Sequence, residues 1–297
     1  MEQLKISAII PTKNRPNDLI DAIDSVLLQT LTPIELIIVD QSQEPSSYLF
    51  SGKFCHSPIN LRYVHRPDIT SLVQAKQFGV SVSNGAFVSF LEDDIVLDCN
   101  FFQKLADGFK QKTEMIGCCG RITNQPNSSK LYTFLHTLFF QGILYDPRVK
   151  IFNSNEKVDL VESHMISGGL SMWKSSVFDL EHFDTKNGFF MMEDVEFSTR
   201  LAKRVPNGLF VNCQAMAIHK VSPVNRLEYD LRQAQKMREA VIFYKKRRRW
   251  KGAMLGISLA MVWWTLGAVM ECFERRTLSP LRGHVLGVAR GLMSKVT

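Results

Sequence analysis

Over the first hundred residues, apolar runs of strand length alternate with stretches of helical periodicity. Ile6-Ser7-Ala8-Ile9-Ile10 reads as a buried strand ended by Pro11. From Pro16 to Gln29, Leu19, Ile20, Ile23, Val26 and Leu27 recur at helical spacing, and Pro16 suits a first helical turn. Leu36-Ile37-Ile38-Val39 is a second apolar run, ending in Asp40, and Leu61-Arg62-Tyr63-Val64 is a shorter third. Residues 72–82 predict a helix, and Ala86 to Leu91 a further strand. Strands that are apolar on both faces and alternate with helices predict an α/β fold, a mostly parallel central sheet flanked by helices. Ligands of such sheets gather beyond the carboxyl ends of the strands. Thr12-Lys13-Asn14-Arg15, Asp40 and Glu92-Asp93-Asp94 all fall at such ends, so three polar clusters are expected to meet on one rim.

The pattern weakens from about Cys119 to Leu160. Asn124 to Lys130 reads as a loop, and Leu131 to Ile143 as an aromatic-rich helix suited to lining a pocket. In Ser167-Gly168-Gly169-Leu170-Ser171-Met172-Trp173, flexible backbone precedes apolar side chains; the glycines serve close approach to a ligand or an ordinary turn. Val195 to Arg204 predicts a short helix, and Arg226 to Arg249 a long, strongly charged one.

Three adjacent carboxylates at the end of a buried strand repel one another and lose hydration. A divalent cation removes that objection, because hard oxygen ligands and a bound phosphate share its charge. In extended chain Glu92 and Asp94 project to one side and Asp93 to the other. An acidic surface turn is the alternative. A second cluster, Glu193-Asp194-Val195-Glu196, opens a predicted helix. There Asp194 is either a cap, worth about 1 kcal/mol, or a general base for a hydroxyl entering from a cleft. A helix N-terminus favours its ionised form. His219 follows the apolar run Leu209-Phe210-Val211 and is either structural or a ligand.

Composition sharpens the picture through its distribution. The chain has 297 residues and a net charge of +7. Residues 245–297 carry eleven Lys/Arg against two Glu, a charge of +9, which leaves residues 1–244 at −2. A slightly acidic body argues against nucleic-acid binding and fits a soluble domain tethered to an anionic surface. The six cysteines have no C-x-x-C or zinc spacing, as expected of reduced cytosolic thiols. Met1-Glu2-Gln3-Leu4-Lys5 runs straight into a strand with no charged-then-apolar leader, so the body is expected to stay in the cytoplasm.

Five motifs then occur in order: Ile9-Ile10-Pro11-Thr12-Lys13-Asn14-Arg15, Val39-Asp40, Ala75-Lys76-Gln77-Phe78-Gly79, Phe90-Leu91-Glu92-Asp93-Asp94 and Glu193-Asp194-Val195-Glu196. Together they resemble the family 2 glycosyltransferases of bacterial glycan biosynthesis, inverting enzymes with the GT-A (nucleotide-diphospho-sugar transferase) fold. The resemblance covers roughly residues 4–245. It implies a nucleotide-sugar donor, a divalent cation (Mn²⁺ or Mg²⁺) and single displacement with inversion. Pro11, Thr12, Asn14 and Arg15 match the loop along the nucleotide, and Asp40 the residue that reads base or ribose. Lys76 stands where the family usually has Arg, near the diphosphate; it keeps the charge but not the planar fork. Glu92 and Asp94 match the ends of the D-x-D motif around Asp93. Asp94 would hold the metal and Glu92 the ribose, with His219 a further candidate metal ligand. Asp194 matches the catalytic base and Glu193 an acceptor-binding residue. Gly169 and Trp173 are candidate acceptor contacts, although core packing suits Trp173 equally.

The chain divides into a catalytic domain, residues 1–244, and a basic, apolar membrane-associating tail, residues 245–297. Lys245-Lys246-Arg247-Arg248-Arg249-Trp250-Lys251 runs into nineteen uncharged residues, Gly252 to Met270. As a helix they extend roughly 28 Å, enough to cross a bilayer core. The basic run would face the cytoplasm and anionic lipid. Trp263 and Trp264 past the middle, and Arg275, Arg276, Arg282, Arg290 and Lys295 beyond, favour a helix in the interface or a hairpin with amphipathic Leu281–Val296. Such attachment suggests a glycan or polyprenyl-linked acceptor. Two rival readings remain. A sugar-nucleotide nucleotidyltransferase should carry a glycine-rich loop after the first strand, which Pro11–Arg15 lacks. A non-catalytic membrane-bound subunit need not keep acidic residues at both 94 and 194.

Overall fold

A computed structural model of the chain describes residues 4–125, 129–146, 149, 159–224, 227–250 and 252–295. Of the sequence readings, Met1–Gln3, the middle of the 124–130 loop, Arg226, Lys251 and Val296 lie outside the described residues. The described strands form one nine-stranded sheet. Its first half is parallel, as the apolar runs predict. β1 (Ile6–Thr12) lies between β2 (Glu35–Asp40) and β4 (Phe87–Leu91), and β3 (Asn60–His65) flanks β2. Thr12, Asp40 and His65 stand abreast, so the ends of three strands share one rim.

The second half is mixed. β8 (Leu170–Lys174) runs antiparallel to β4, with Leu170 opposite Leu91. β6 (Gly117–Ile122) pairs with β8 and runs parallel to β9 (Leu209–His219), which also takes the short antiparallel strands β5 (Ile95–Leu97) and β7 (Leu160–Glu162). Two of these registers decide where chemistry collects. The β4–β8 pairing puts the Gly168-Gly169 turn beside the end of β4. The β5–β9 pairing sets His219 opposite Ile95, one residue after the acidic turn.

Strand side chains alternate between two cores. Ile6, Ala8, Ile10, Leu36 and Ile38 face α1 (Pro16–Leu27) and α4 (Phe101–Gln111). Ile9, Ile37, Val39, Val88 and Phe90 face α3 (Leu72–Ser81) and α7 (Glu193–Arg204). The remaining short helices are α2 (Tyr48–Ser51) and α6 (Val177–Leu180). The aromatic segment forms α5 (Lys130–Phe139) and a 3-10 turn, Gly142–Leu144. It takes no part in the cleft described below: Tyr132 and Phe139 pack on Trp263.

The long charged segment is α8 (Tyr229–Arg247), and the division at 244/245 falls inside it. α9 (Ala253–Arg275) and α10 (Ser279–Met293) follow as a hairpin whose turn includes Arg276 in the left-handed region, φ 52°. α10 lies on α8 through Gly283, Gly287 and Gly291, where an added Cβ would strike the α8 carbonyls of Asp230 and Ala234 or the side chain of Val241. The basic run is largely spent on the protein itself. Lys245 Nζ donates to the carbonyls of Gly291 (3.0 Å) and Ser294 (3.1 Å), closing the end of α10. Lys246 pairs with Asp184 at 2.6 Å, and buried Arg247 pairs with buried Glu196 at 2.8 Å. Only Arg248 and Arg249 of these five remain exposed.

Gly287→Val should separate α10 from α8, because the obstructing atoms are backbone and cannot swing away. We expect a loss of roughly 1–3 kcal/mol in chemical denaturation; an unchanged midpoint would mean the contact is not packed as described.

Candidate active-site cleft

One cleft of about 680 Å³ opens above the rim, within the size range of pockets for nucleotide-sized ligands. Both acidic clusters line it: Glu92, Asp93 and Asp94 from the end of β4, Glu193 and Asp194 from the start of α7. Asp94 and Asp194, one hundred residues apart in sequence, therefore face a shared space.

The alternation expected for Glu92-Asp93-Asp94 holds even though the chain turns there. Asp93 points back to the first strand, accepting from Thr12 Oγ1 at 2.8 Å and Arg15 Nη1 at 2.9 Å. Burial nonetheless pushes its carboxyl up, against the pull of Arg15 and Thr12. Arg15 Nη1 also lies 3.7 Å from Asp94, and its Nε donates to the Val224 carbonyl at 3.0 Å. Thr12, Arg15 and Asp93, expected as nucleotide contacts, are thus bonded first to one another.

Glu92 and Asp94 turn to the other side and meet His219. His219 Nε2 lies 3.1 Å from Asp94 Oδ1 and 3.6 Å from Glu92 Oε2. Ligand atoms of all three fall within 4.8 Å of one another, a carboxylate–imidazole set that suits a divalent cation. The expected split, Asp94 on metal and Glu92 on ribose, becomes one cluster. Glu92 keeps part of its side chain open to the cleft, yet the enclosing protein and the Asp94 charge raise its carboxyl above the usual range. Asp94 is held below it: burial opposes ionisation, but His219 and the Ser222 N–H (3.0 Å) prevail. Gly169 is explained by the same cluster. Its carbonyl accepts from Glu92 N–H, and a Cβ there would collide with the Glu92 side chain.

Lys76 is buried, 2% exposed, and bonds Glu193 Oε1 at 2.6 Å and the Gly168 carbonyl at 2.8 Å. It touches the cleft but spends its charge on Glu193, where a point charge suffices and a planar fork is not needed. Burial pushes Glu193 up to about 7 despite Lys76. Its Oε2 is buried with no partner among the described residues.

Other expected contacts fall elsewhere. Asp40 is fully buried and absent from the cleft wall; its carboxylate takes Ser42 N–H, Ser46 N–H and the Tyr63 hydroxyl, shaping the loop after β2. Asn14, at φ 57°, donates its N–H to Ser42 Oγ and links that loop to the one after β1. Trp173 is a core residue, 2% exposed, edge-on to Phe197 with Nε1 bonded to Ser171, so it is not placed to stack on a sugar. Pro11 lines the cleft as expected.

Lys13, from the polar cluster expected on the rim, lines the wall, and residues not singled out from the sequence complete it: Gln41, Phe190 and Met191 before α7, and Arg232 and Gln235 from α8. Glu239 was equally hidden. Fully buried, it accepts the consecutive backbone N–H groups of Phe190 (3.0 Å), Met191 (2.8 Å) and Met192 (2.9 Å). Those donors stand immediately before Glu193-Asp194, so Glu239 fixes where α7 begins. Asp194 itself accepts its neighbour's N–H, from Val195, at 2.8 Å.

Comparison with known proteins bears on the family and the fold. The model for "Glycosyl transferase family 2" matches residues 7–179. "Glycosyltransferase GlyG" of Streptococcus pneumoniae serotype 4 is 26% identical over 107 residues, 36% of this chain. An "Uncharacterized glycosyltransferase" of Rickettsia bellii is 36% identical over 106 residues, 35% of this chain. The matched stretches span only 36% and 14% of those relatives' lengths. Among solved structures, mannosyltransferase PcManGT from Pyrobaculum calidifontis, in complex with GDP-Man and Mn²⁺, superposes with a TM-score of 0.63 at 13% identity, covering 99% of this chain and 89% of that one. The GT-A fold expected from the motifs is therefore the fold observed.

The buried ion pair makes two outcomes measurable. Lys76→Met takes away the only cation paired with Glu193 among the described residues, so its cost should grow as pH rises above about 7, toward roughly 3–5 kcal/mol, with Lys76→Met/Glu193→Gln recovering much of it. A carboxyl raised on folding gives stability that is complete below its unfolded range, near 4.5, and lost as pH rises through about 7. Glu193→Gln should remove that downward slope from denaturation midpoints measured across this window. Glu239→Ala takes the acceptor from three consecutive N–H groups, of which that of Met192 is buried; we expect a loss of about 1–3 kcal/mol and faster hydrogen exchange at residues 190–196.

Proposed function

The chain belongs to glycosyl transferase family 2, and on that premise we propose that it is a metal-dependent inverting glycosyltransferase. It would move a sugar from a nucleotide-diphosphate donor to a hydroxyl of a glycan or lipid-linked acceptor. The observation that carries this reading is the meeting of Glu92, Asp94 and His219 with Asp194 along one cleft. Mn²⁺ or Mg²⁺ suits the first three residues, whose oxygen and imidazole donors match a hard or borderline divalent cation. The Mn²⁺ and GDP-Man held by the Pyrobaculum structure support the same assignment.

In this reading Glu92, Asp94 and His219 hold the cation, which when bound neutralises charge on the leaving diphosphate. Pro11, Thr12, Lys13, Arg15 and Gln41 supply the wall on which the nucleotide lies. Asp194 takes the proton of the acceptor hydroxyl, a poor nucleophile until then. Attack from the face opposite the diphosphate inverts the anomeric carbon. Glu193, which lines the cleft and is anchored by Lys76, is the acceptor-binding residue in this reading. Residues 1–244 would act as the catalytic domain and residues 245–297 as an attachment to the cytoplasmic face of a membrane. α9 is the helix among the described residues long and apolar enough to reach across one. A polyprenyl-linked acceptor follows from that location, and nucleic acid is no partner.

A thermal-shift screen of UDP, GDP and dTDP with and without Mn²⁺ should show one nucleotide stabilising selectively and only with metal. In donor-hydrolysis and transfer assays, Asp94→Ala should lose the metal-dependent activity. Asp194→Asn should bind donor normally and turn over at least roughly 100-fold more slowly. Transfer at the normal rate by Asp194→Asn would remove it as the base.

A further inference from the structure

The C-terminal hairpin is packed inside out. On α9 the face toward the protein is made of small residues, Ala253, Gly256, Ala260 and Ala268, with Ile257. The opposite face carries Leu255, Val262, Leu266, Val269 and Phe273, with Leu255 64% and Phe273 80% exposed. At 100° per residue these five positions fall within one narrow stripe. α10 repeats the inversion. Gly283, Gly287 and Gly291 face α8, while Leu278, Val285 and Leu292 point outward. Leu131, Phe134 and Leu138 form a third outward stripe on α5, which packs against α9 through Trp263. Water-facing surfaces of soluble proteins do not gather large apolar side chains on three adjoining helices while burying glycine and alanine.

The same contacts exclude a simple crossing. Trp263 packs on Tyr132 and Phe139, Trp264 lies beside Phe140 and 5.1 Å from Lys236 Nζ, and Thr265 Oγ1 meets His284 Nε2 at 3.1 Å. A helix crossing the bilayer would carry these attached polar groups to its midplane, where each is costly. We propose that α9 and α10 lie in the plane of one leaflet, joined by α5, with their outward stripes among the acyl chains. Exposed Arg276, Arg282 and Arg290 border the stripes and match anionic headgroups. This rests on the membrane attachment proposed above and specifies its form.

The test uses the full chain with phosphatidylcholine vesicles, with and without phosphatidylglycerol. Wild type should float with the anionic vesicles. Leu255→Glu/Leu266→Glu/Phe273→Glu on α9, and separately Val285→Glu/Leu292→Glu on α10, should each lower the bound fraction roughly tenfold or more. Their melting temperatures should not fall, since the changed positions touch solvent. For topology, Thr277→Cys is made in a Cys55→Ser/Cys99→Ser/Cys272→Ser background and bound to sealed vesicles. A bulky impermeant thiol reagent added outside should tag position 277. Tagging only after detergent would show a crossing helix and overturn the in-plane arrangement while leaving attachment intact. Failure of wild type to float, flotation of both acidic variants equal to that of wild type, or self-association in place of flotation would overturn attachment as well.

Discussion

Five carboxylates share one cleft, and the fold is arranged around keeping them there. Glu92, Asp93, Asp94, Glu193 and Asp194 would drive one another toward protonation if left alone. Each cluster is answered by a side chain from a distant stretch of chain: Arg15 for Asp93, the His219 imidazole for Asp94 and Glu92, Lys76 for Glu193. Those pairings require the first strand, the ninth strand and the third helix to converge on the end of β4. The sheet order, with antiparallel β8 inserted beside β4 and β5 folded onto β9, is what brings them together.

The division of labour between the neutralised and the available acids follows from the same pairings. Asp93 is fully engaged by Thr12 and Arg15, and it knits the loop after β1 to the acidic turn. Asp94 and Glu92 meet at a site with room for a shared cation, and Glu193 keeps one oxygen in reserve. A cluster of like charges becomes a set of separate tools because each partner approaches from a different direction.

The sequence made the parallel half of the sheet legible, because strands buried on both faces must be continuously apolar, and it placed the polar rim correctly at their ends. It left Trp173 between a sugar contact and the core, and it could not reveal that Asp40 turns inward, since a carboxylate satisfied by backbone N–H groups looks like a site residue in one dimension. His219 was visible only as a lone histidine; its proximity to Glu92 depends on a three-residue strand pairing that has no periodic signature. Glu239 was one charge among many on a charged helix, and its burial is set by the loop it captures. The basic run misled for a related reason. Lys245, Lys246 and Arg247 looked like a lipid-facing patch, but each has an internal acceptor from a remote segment.

The glycine seam between α8 and α10 has a mechanical consequence. Backbone resting on backbone leaves no side-chain slack, so the hairpin cannot slide or roll against the rod that supports it. That rod also holds the 190–192 segment through Glu239 and α7 through Arg247. In the proposed attachment, the elevation and tilt of the cleft above the lipid surface are thereby set as a rigid standoff, and an acceptor would have to present its reactive end at that height.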